Sequence, residues 1–225
     1  MQCAYTPARY HQGRLSSSRS RLAQRPGSRN CTAEHTIDFL TTQGAAEVTT
    51  PIYNISLPNT QPHTLDQNEA FFTLTENGKD IKLRFHDYDA IYSRPGLYEQ
   101  LFYRRLHCTS PTKTQEVLHK VLRDNHRDIH ELRVLDLGAG NGMVGELLDA
   151  ARVVGIDITD EARKACNRDR PHAYDSYYVA DLSRPDPKLI NELSAWNLDC
   201  LTCVAALGYG DIPLEAFANA YNLIA

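Results

Sequence analysis

No stretch of this 225-residue chain approaches the roughly 18 consecutive apolar residues that a membrane-spanning helix needs, and a helical membrane span is not expected. Cysteine is sparse and unframed. The six (Cys3, Cys31, Cys108, Cys166, Cys200, Cys203) are scattered, which argues against a secreted disulfide scaffold and makes a reducing, cytoplasmic setting the simpler expectation. The nine histidines never fall in an H-x-x-E-H spacing, and Cys200 and Cys203, three apart on an expected strand, point to opposite faces; no metal site is expected. A net charge of −4 offers no general pull toward nucleic acid or anionic membrane. Acid is missing altogether from residues 1–30, which hold six arginines and a serine cluster, so the rest of the chain carries −10. Residues 1–35 therefore read as a basic disordered tail or, alternatively, as a transit-like segment that would direct the chain to an organelle.

What is present is a globular composition, 42% hydrophobic and 23% charged. Residues 36–108 form an arm. Its first part, rich in Thr, Gln, Asn and Pro, has little periodicity and reads as a linker. Then Phe72 and Leu74 alternate against Ile81, Leu83 and Phe85 across Asn77-Gly78, a β-hairpin signal. After Pro95, Leu97, Leu101 and Phe102 recur at helical spacing, and a second helix is expected from Ser110, its cap, with Pro111 in the first turn.

Residues 109–225 alternate strictly. Strands are expected at Leu132–Leu137, Arg152–Ile156, Tyr177–Ala180 and Leu198–Val204, separated by amphipathic helices, the last beginning at Pro213. The fold class is therefore α/β, with a Rossmann-like parallel sheet and flanking helices, preceded by the hairpin and the arm. In such sheets ligands bind outside the carboxyl ends of the strands, where Asp136, Asp157 and Asp181 stand.

The first strand runs into Val134–Gly145, VLDLGAGNGMVG, where Gly138, Gly140 and Gly142 occupy every second position. Glycine costs roughly 0.5–1 kcal/mol in a regular element and lets backbone approach a ligand closely. A dinucleotide loop would want G-x-G-x-x-G, but the third place is Met143, and Asp136 would repel a pyrophosphate. A nicotinamide dehydrogenase is thereby disfavoured. Asp157 can accept both hydroxyls of a ribose, each hydrogen bond to a charged acceptor being worth about 1.5–3 kcal/mol. Asp160 reads as a helix cap.

In order and spacing, VLDLGAGNGMVG, VVGIDIT, YYVADLS and LDCLTCVAALGYGDIP resemble the first four motifs of class I S-adenosylmethionine-dependent methyltransferases. The resemblance covers about residues 110–225. It implies that Gly138, Ala139, Gly140, Asn141 and Gly142 pass beneath the methionine moiety of S-adenosylmethionine, with Asp136 serving its amino group. Asp157 would bind the ribose, Ile158 pack on the adenine, Asp181 take the adenine amino group and Leu182 offer backbone N–H. Cys203 and Val204 would line the methyl-transfer side, and Tyr88 or Tyr92, in the lid-like HDYDAIYSRPGLYEQ, would stand near the sulfonium. The family's sheet has seven strands in the order 3-2-1-4-5-7-6, of which strands 1–4 are represented here; an incomplete, C-terminally truncated domain is the expectation.

The implied activity is methyl transfer to a small-molecule acceptor, the alternative being a catalytically inactive binding or scaffold protein. No Asn/Asp-Pro-Pro-Tyr run follows the fourth strand, which counts against amino-group methylation of adenine or glutamine, and no Pro-Cys pair occurs there, which counts against cytosine C5 chemistry. Tyr209 and Asp211 are possible acceptor-side groups, read first as turn residues before Pro213. No catalytic base is assigned.

Overall fold

Asn77 and Gly78 both adopt positive φ (53° and 73°), the backbone of a tight two-residue turn that matches strand twist. They join β2 (Phe71–Glu76) to β3 (Lys79–Arg84) in the alternation expected, with Phe72 and Leu74 fully buried on one face. A third strand, β1 (Asn54–Ser56), pairs antiparallel with β2. It lies in the stretch read as linker: at three residues it has too little pattern of its own, and pairing with β2 decides its form. This computed structural model describes residues 50–58, 69–208 and 210–224; the expected basic tail and Tyr209 lie outside them.

Between hairpin and domain, α1 (Tyr88–Tyr92) ends before Pro95, and a π-helical turn, Glu99–Arg105, follows it. Helical structure thus flanks Pro95 on both sides rather than beginning at it. Ile91, Leu97 and Leu101 are fully buried against Phe72 and Leu74, which fixes this segment to the hairpin sheet. The next helix, α2 (Ser110–Asp124), has Thr109 at its N-cap; Ser110 is its first helical residue, a correction of one position.

The second sheet is parallel, built from β4 (Arg133–Leu137), β5 (Arg152–Asp157), β6 (Ser176–Val179) and β7 (Cys200–Thr202) in the order β6-β5-β4-β7. Helices α3 (Met143–Leu147), α4 (Asp160–Asp169), α5 (Pro187–Ser194) and α6 (Leu214–Tyr221) connect or follow the strands. This confirms the α/β class and the expected order of the four strands. Leu135, Val154 and Ile156 are fully buried in one cluster and Val134 in another. Each such aliphatic side chain contributes about 1.5–3 kcal/mol. β7 is three residues long, shorter than the expected Leu198–Val204. The cap of α4 is Thr159, whose hydroxyl accepts the Ala162 N–H at 3.2 Å; Asp160, read as the cap, instead pairs with Arg163 and Lys164.

Candidate functional site

β4 and β5 end side by side, so the glycine loop after β4 and Asp157 at the end of β5 meet. The Asp157 carboxylate accepts the Gly140 N–H at 2.9 Å through Oδ2, and the Thr159 N–H at 3.0 Å through Oδ1. Parallel pairing in register sets this contact, with Leu137 opposite Ile156. Ile158, the next residue, is a large apolar side chain 63% exposed beside it.

Each loop glycine has a different neighbour. Gly140 is at φ +53°, and a Cβ there would lie 2.7 Å from the Tyr92 hydroxyl. The bare backbone at this point is therefore covered by the segment that precedes the domain. Gly142 (φ +87°) caps α3 and packs against α4: its Cβ would lie 2.8 Å from Cys166 Sγ. Left-handed strain and this clash together are expected to make Gly142→Ala lose about 2 kcal/mol, measured as a fall in urea midpoint at unchanged slope.

Three tyrosines clasp the loop. Tyr174 donates to Asp136 Oδ2 at 2.7 Å and to the Ala139 carbonyl at 3.2 Å, and Tyr177 donates to the Gly140 carbonyl at 2.7 Å. Tyr92 is buried, stacks on Tyr88 and Tyr98, and packs on Ala162 and Ala165 of α4. Its carbonyl accepts from Arg168 at 3.1 Å. Sequence reading missed Tyr174 and Tyr177. One signal was available: Gly155 inside β5, where a Cβ would meet the Tyr174 ring at 3.1 Å, is a strand glycine marking close approach.

Asp136 is 1% exposed and has both oxygens engaged, Oδ2 by Tyr174 and Oδ1 by Thr202 Oγ1 at 2.7 Å. Burial pushes its pKa up to about 6 against the hydrogen bonds that lower it. Asp136, expected to serve a ligand's amino group, is held between β7 and Tyr174. Asp181 stands just beyond β6, exposed, with Oδ1 accepting the Ser183 N–H at 2.8 Å. Leu182 is buried in the sheet core, and its carbonyl accepts from Asn219 of α6 at 2.8 Å. Cys203 and Val204 follow β7 and are half-buried. Burial pushes the Cys203 thiol up to about 12, so it stays protonated and is a poor nucleophile at neutral pH.

The buried Asn141 donates to Glu99 Oε1 at 2.6 Å, and Arg170 donates to the same oxygen at 2.8 Å while its Nε reaches Glu146 at 2.9 Å. The segment before the domain is thus locked to the loop at Glu99 as well as at Tyr92. A groove of about 550 Å³, lined by Glu146, Arg170, His172 and Tyr174 among others, opens beside Val153 at the start of β5, away from Asp157. Among the described residues no group of three or more His, Cys, Asp or Glu could hold a metal ion, and no helix is long and apolar enough to cross a membrane.

No family model and no curated protein matches the sequence. Solved structures do. CalS10, an amino pentose methyltransferase of Micromonospora echinaspora solved with S-adenosylmethionine, aligns at 19% identity and a TM-score of 0.43, over 57% of this chain and 52% of that one. An S-adenosylmethionine-dependent methyltransferase of Clostridium acetobutylicum aligns at 17% and 0.42, over 57% and 51%. Magnesium protoporphyrin IX methyltransferase of Synechocystis aligns at 17% and 0.35, over 50% and 51%. The chain spans about half the length of these structures. Likeness at this level adds nothing to a functional reading, which the site's own residues must carry.

Proposed function

We propose that the chain binds S-adenosylmethionine at the carboxyl end of its parallel sheet and serves methyl transfer to a small-molecule acceptor. The observation that supports this best is the Asp157–Gly140 contact, a strand-end carboxylate held against the glycine-loop backbone. A carboxylate oxygen accepts more than one hydrogen bond, so Asp157 keeps capacity for a ribose diol while holding Gly140. Ile158 offers an exposed apolar surface for a purine. Asp181 and the Leu182 N–H stand one strand further along, in reach of adenine's polar edge in this reading. Gly138, Ala139, Gly140, Asn141 and Gly142 supply backbone for the amino-acid end. Asp136 takes no part in this reading, and Tyr92 must shift from Gly140 to admit the ligand.

The cofactor, when bound, supplies a methyl group already activated on a sulfonium. The remaining work falls to the protein: align acceptor and methyl in line, and exclude water. Cys203 and Val204 line the acceptor side, and the Tyr88–Tyr92 segment closes over the loop.

Isothermal titration of the full chain with S-adenosylmethionine tests the reading. One-to-one binding is expected, and absence of heat up to millimolar ligand overturns it. Binding to NADH in place of S-adenosylmethionine would favour a dehydrogenase instead.

A further inference from the structure

We propose that His86, oriented by Asp211, is the base that takes the proton from a phenolic hydroxyl, which makes an aromatic alcohol the class of methyl acceptor; this rests on the methyltransferase reading above. The pair joins residues 125 positions apart. His86 Nδ1 lies 3.0 Å from Asp211 Oδ1, and the Tyr88 hydroxyl donates to Oδ2 of the same carboxylate at 3.3 Å.

The chemistry of the pair sets its direction. A carboxylate only accepts, so Nδ1 is the donor, and a neutral ring so held has its lone pair on Nε2. The carboxylate then stabilises the imidazolium that forms when Nε2 takes a proton, as in other base–orienter pairs. The ring is held from a second side by Tyr88, edge to face with centroids 5.8 Å apart. Asp87, the adjacent acid, is already paired with Arg84 at 2.7 Å. Among the described residues Asp211 has no Lys or Arg partner, so its charge is directed at His86 and Tyr88.

Position supports a role in transfer. Asp211 adjoins Ile212, whose Cδ1 lies 3.2 Å from where a Cβ on Gly138 would be, so the pair stands beside the glycine loop on the β7 side. The two side chains are 19% and 25% exposed, partly shielded yet open to a ligand. A mere tether of this exposure would contribute only about 0–1 kcal/mol. The neighbouring rings of Tyr88 and Tyr92, 6.1 Å apart, suit an aromatic acceptor. A phenol, with a pKa of about 10, gives up its proton far more readily than an alkyl alcohol.

In the step, the hydroxyl proton passes to His86 Nε2 as an oxygen lone pair forms the new C–O bond. The C–S bond breaks with its electron pair going to sulfur. The products are an aryl methyl ether, S-adenosylhomocysteine and imidazolium, which returns its proton to water.

The test uses the full chain labelled with ¹⁵N-histidine and saturated with S-adenosylhomocysteine, with catechol as probe acceptor and aniline and cyclohexanol as controls. The His86 ring signals, assigned by loss in His86→Gln, are expected to show the Nδ1–H tautomer and to shift by several ppm at Nε2 with catechol alone. With methyl-labelled S-adenosylmethionine, O-methyl catechol is expected, and His86→Gln should slow its formation at least a hundredfold while cofactor affinity stays within twofold. The proposal is overturned if the chain binds S-adenosylhomocysteine yet catechol leaves His86 unmoved, if the ring is the Nε2–H tautomer, if aniline or cyclohexanol is the acceptor, or if His86→Gln transfers at the parent rate. Failure to bind S-adenosylhomocysteine at all would instead overturn the cofactor reading on which the proposal stands.

Discussion

Asp157→Ala is expected to lower affinity for S-adenosylmethionine by about a hundredfold or more, with the sheet intact. Two hydrogen bonds from a ribose diol to a carboxylate are worth about 1.5–3 kcal/mol each, and every 1.4 kcal/mol is tenfold. The substitution also releases the Gly140 N–H, which now donates to Oδ2, and the Thr159 N–H, which donates to Oδ1. The glycine loop therefore loses its anchor as well as its ligand contact. Asp157→Asn separates the two effects. It keeps one accepting oxygen for Gly140 and should fall between parent and Ala variant in affinity. Titration calorimetry reads the loss, and far-UV circular dichroism verifies the fold. An Ala variant that binds within threefold of the parent would remove Asp157 from the site.

Asp136→Asn is expected to stabilise the chain at neutral pH by up to about 3 kcal/mol, the second large effect. Burial raises the Asp136 pKa from 3.8 to about 6, and about 1.4 kcal/mol attaches to each unit. The folded carboxyl holds its proton more tightly than the unfolded one. Its contribution to stability is therefore full below pH 4 and is lost as pH rises through about 6. Asparagine is neutral throughout, and the Tyr174 and Thr202 hydroxyls can each donate or accept, so both contacts survive the exchange. Urea midpoints of parent and variant should differ most above pH 7 and converge near pH 4. Equal differences at both pH values would show that Asp136 does not titrate in this window.

The residues that met their sequence reading are those placed by a single local rule. The Asn-Gly hairpin, the order of the parallel strands and the adjacency of Asp157 to Gly140 each follow from alternation or from pairing of neighbouring strands. Asp136 stands at the expected strand end, but its surroundings are not local. Its partners, Tyr174 and Thr202, are 38 and 66 residues away, and only the folded sheet brings them to it. The Glu99–Asn141–Arg170 lock is of the same kind, assembled from the π-helical turn, the glycine loop and the residue after α4. The cap of α4 was misplaced by one residue because Thr159 and Asp160 are both good cap residues, and only backbone geometry chooses between them. Tyr92 reaches Gly140 from a segment whose helical pattern is broken by Pro95.

The sheet order β6-β5-β4-β7 has a bearing on how the chain comes off the ribosome. The first parallel strand to be synthesised is an inner one, and one of its two flanks must wait for Cys200–Thr202, more than 60 positions later. Until then that flank presents unmatched peptide groups to any other nascent polypeptide. Late-arriving nonlocal pairing is slow to form, so the interval between translation of Leu137 and of Thr202 is when this domain most needs a chaperone.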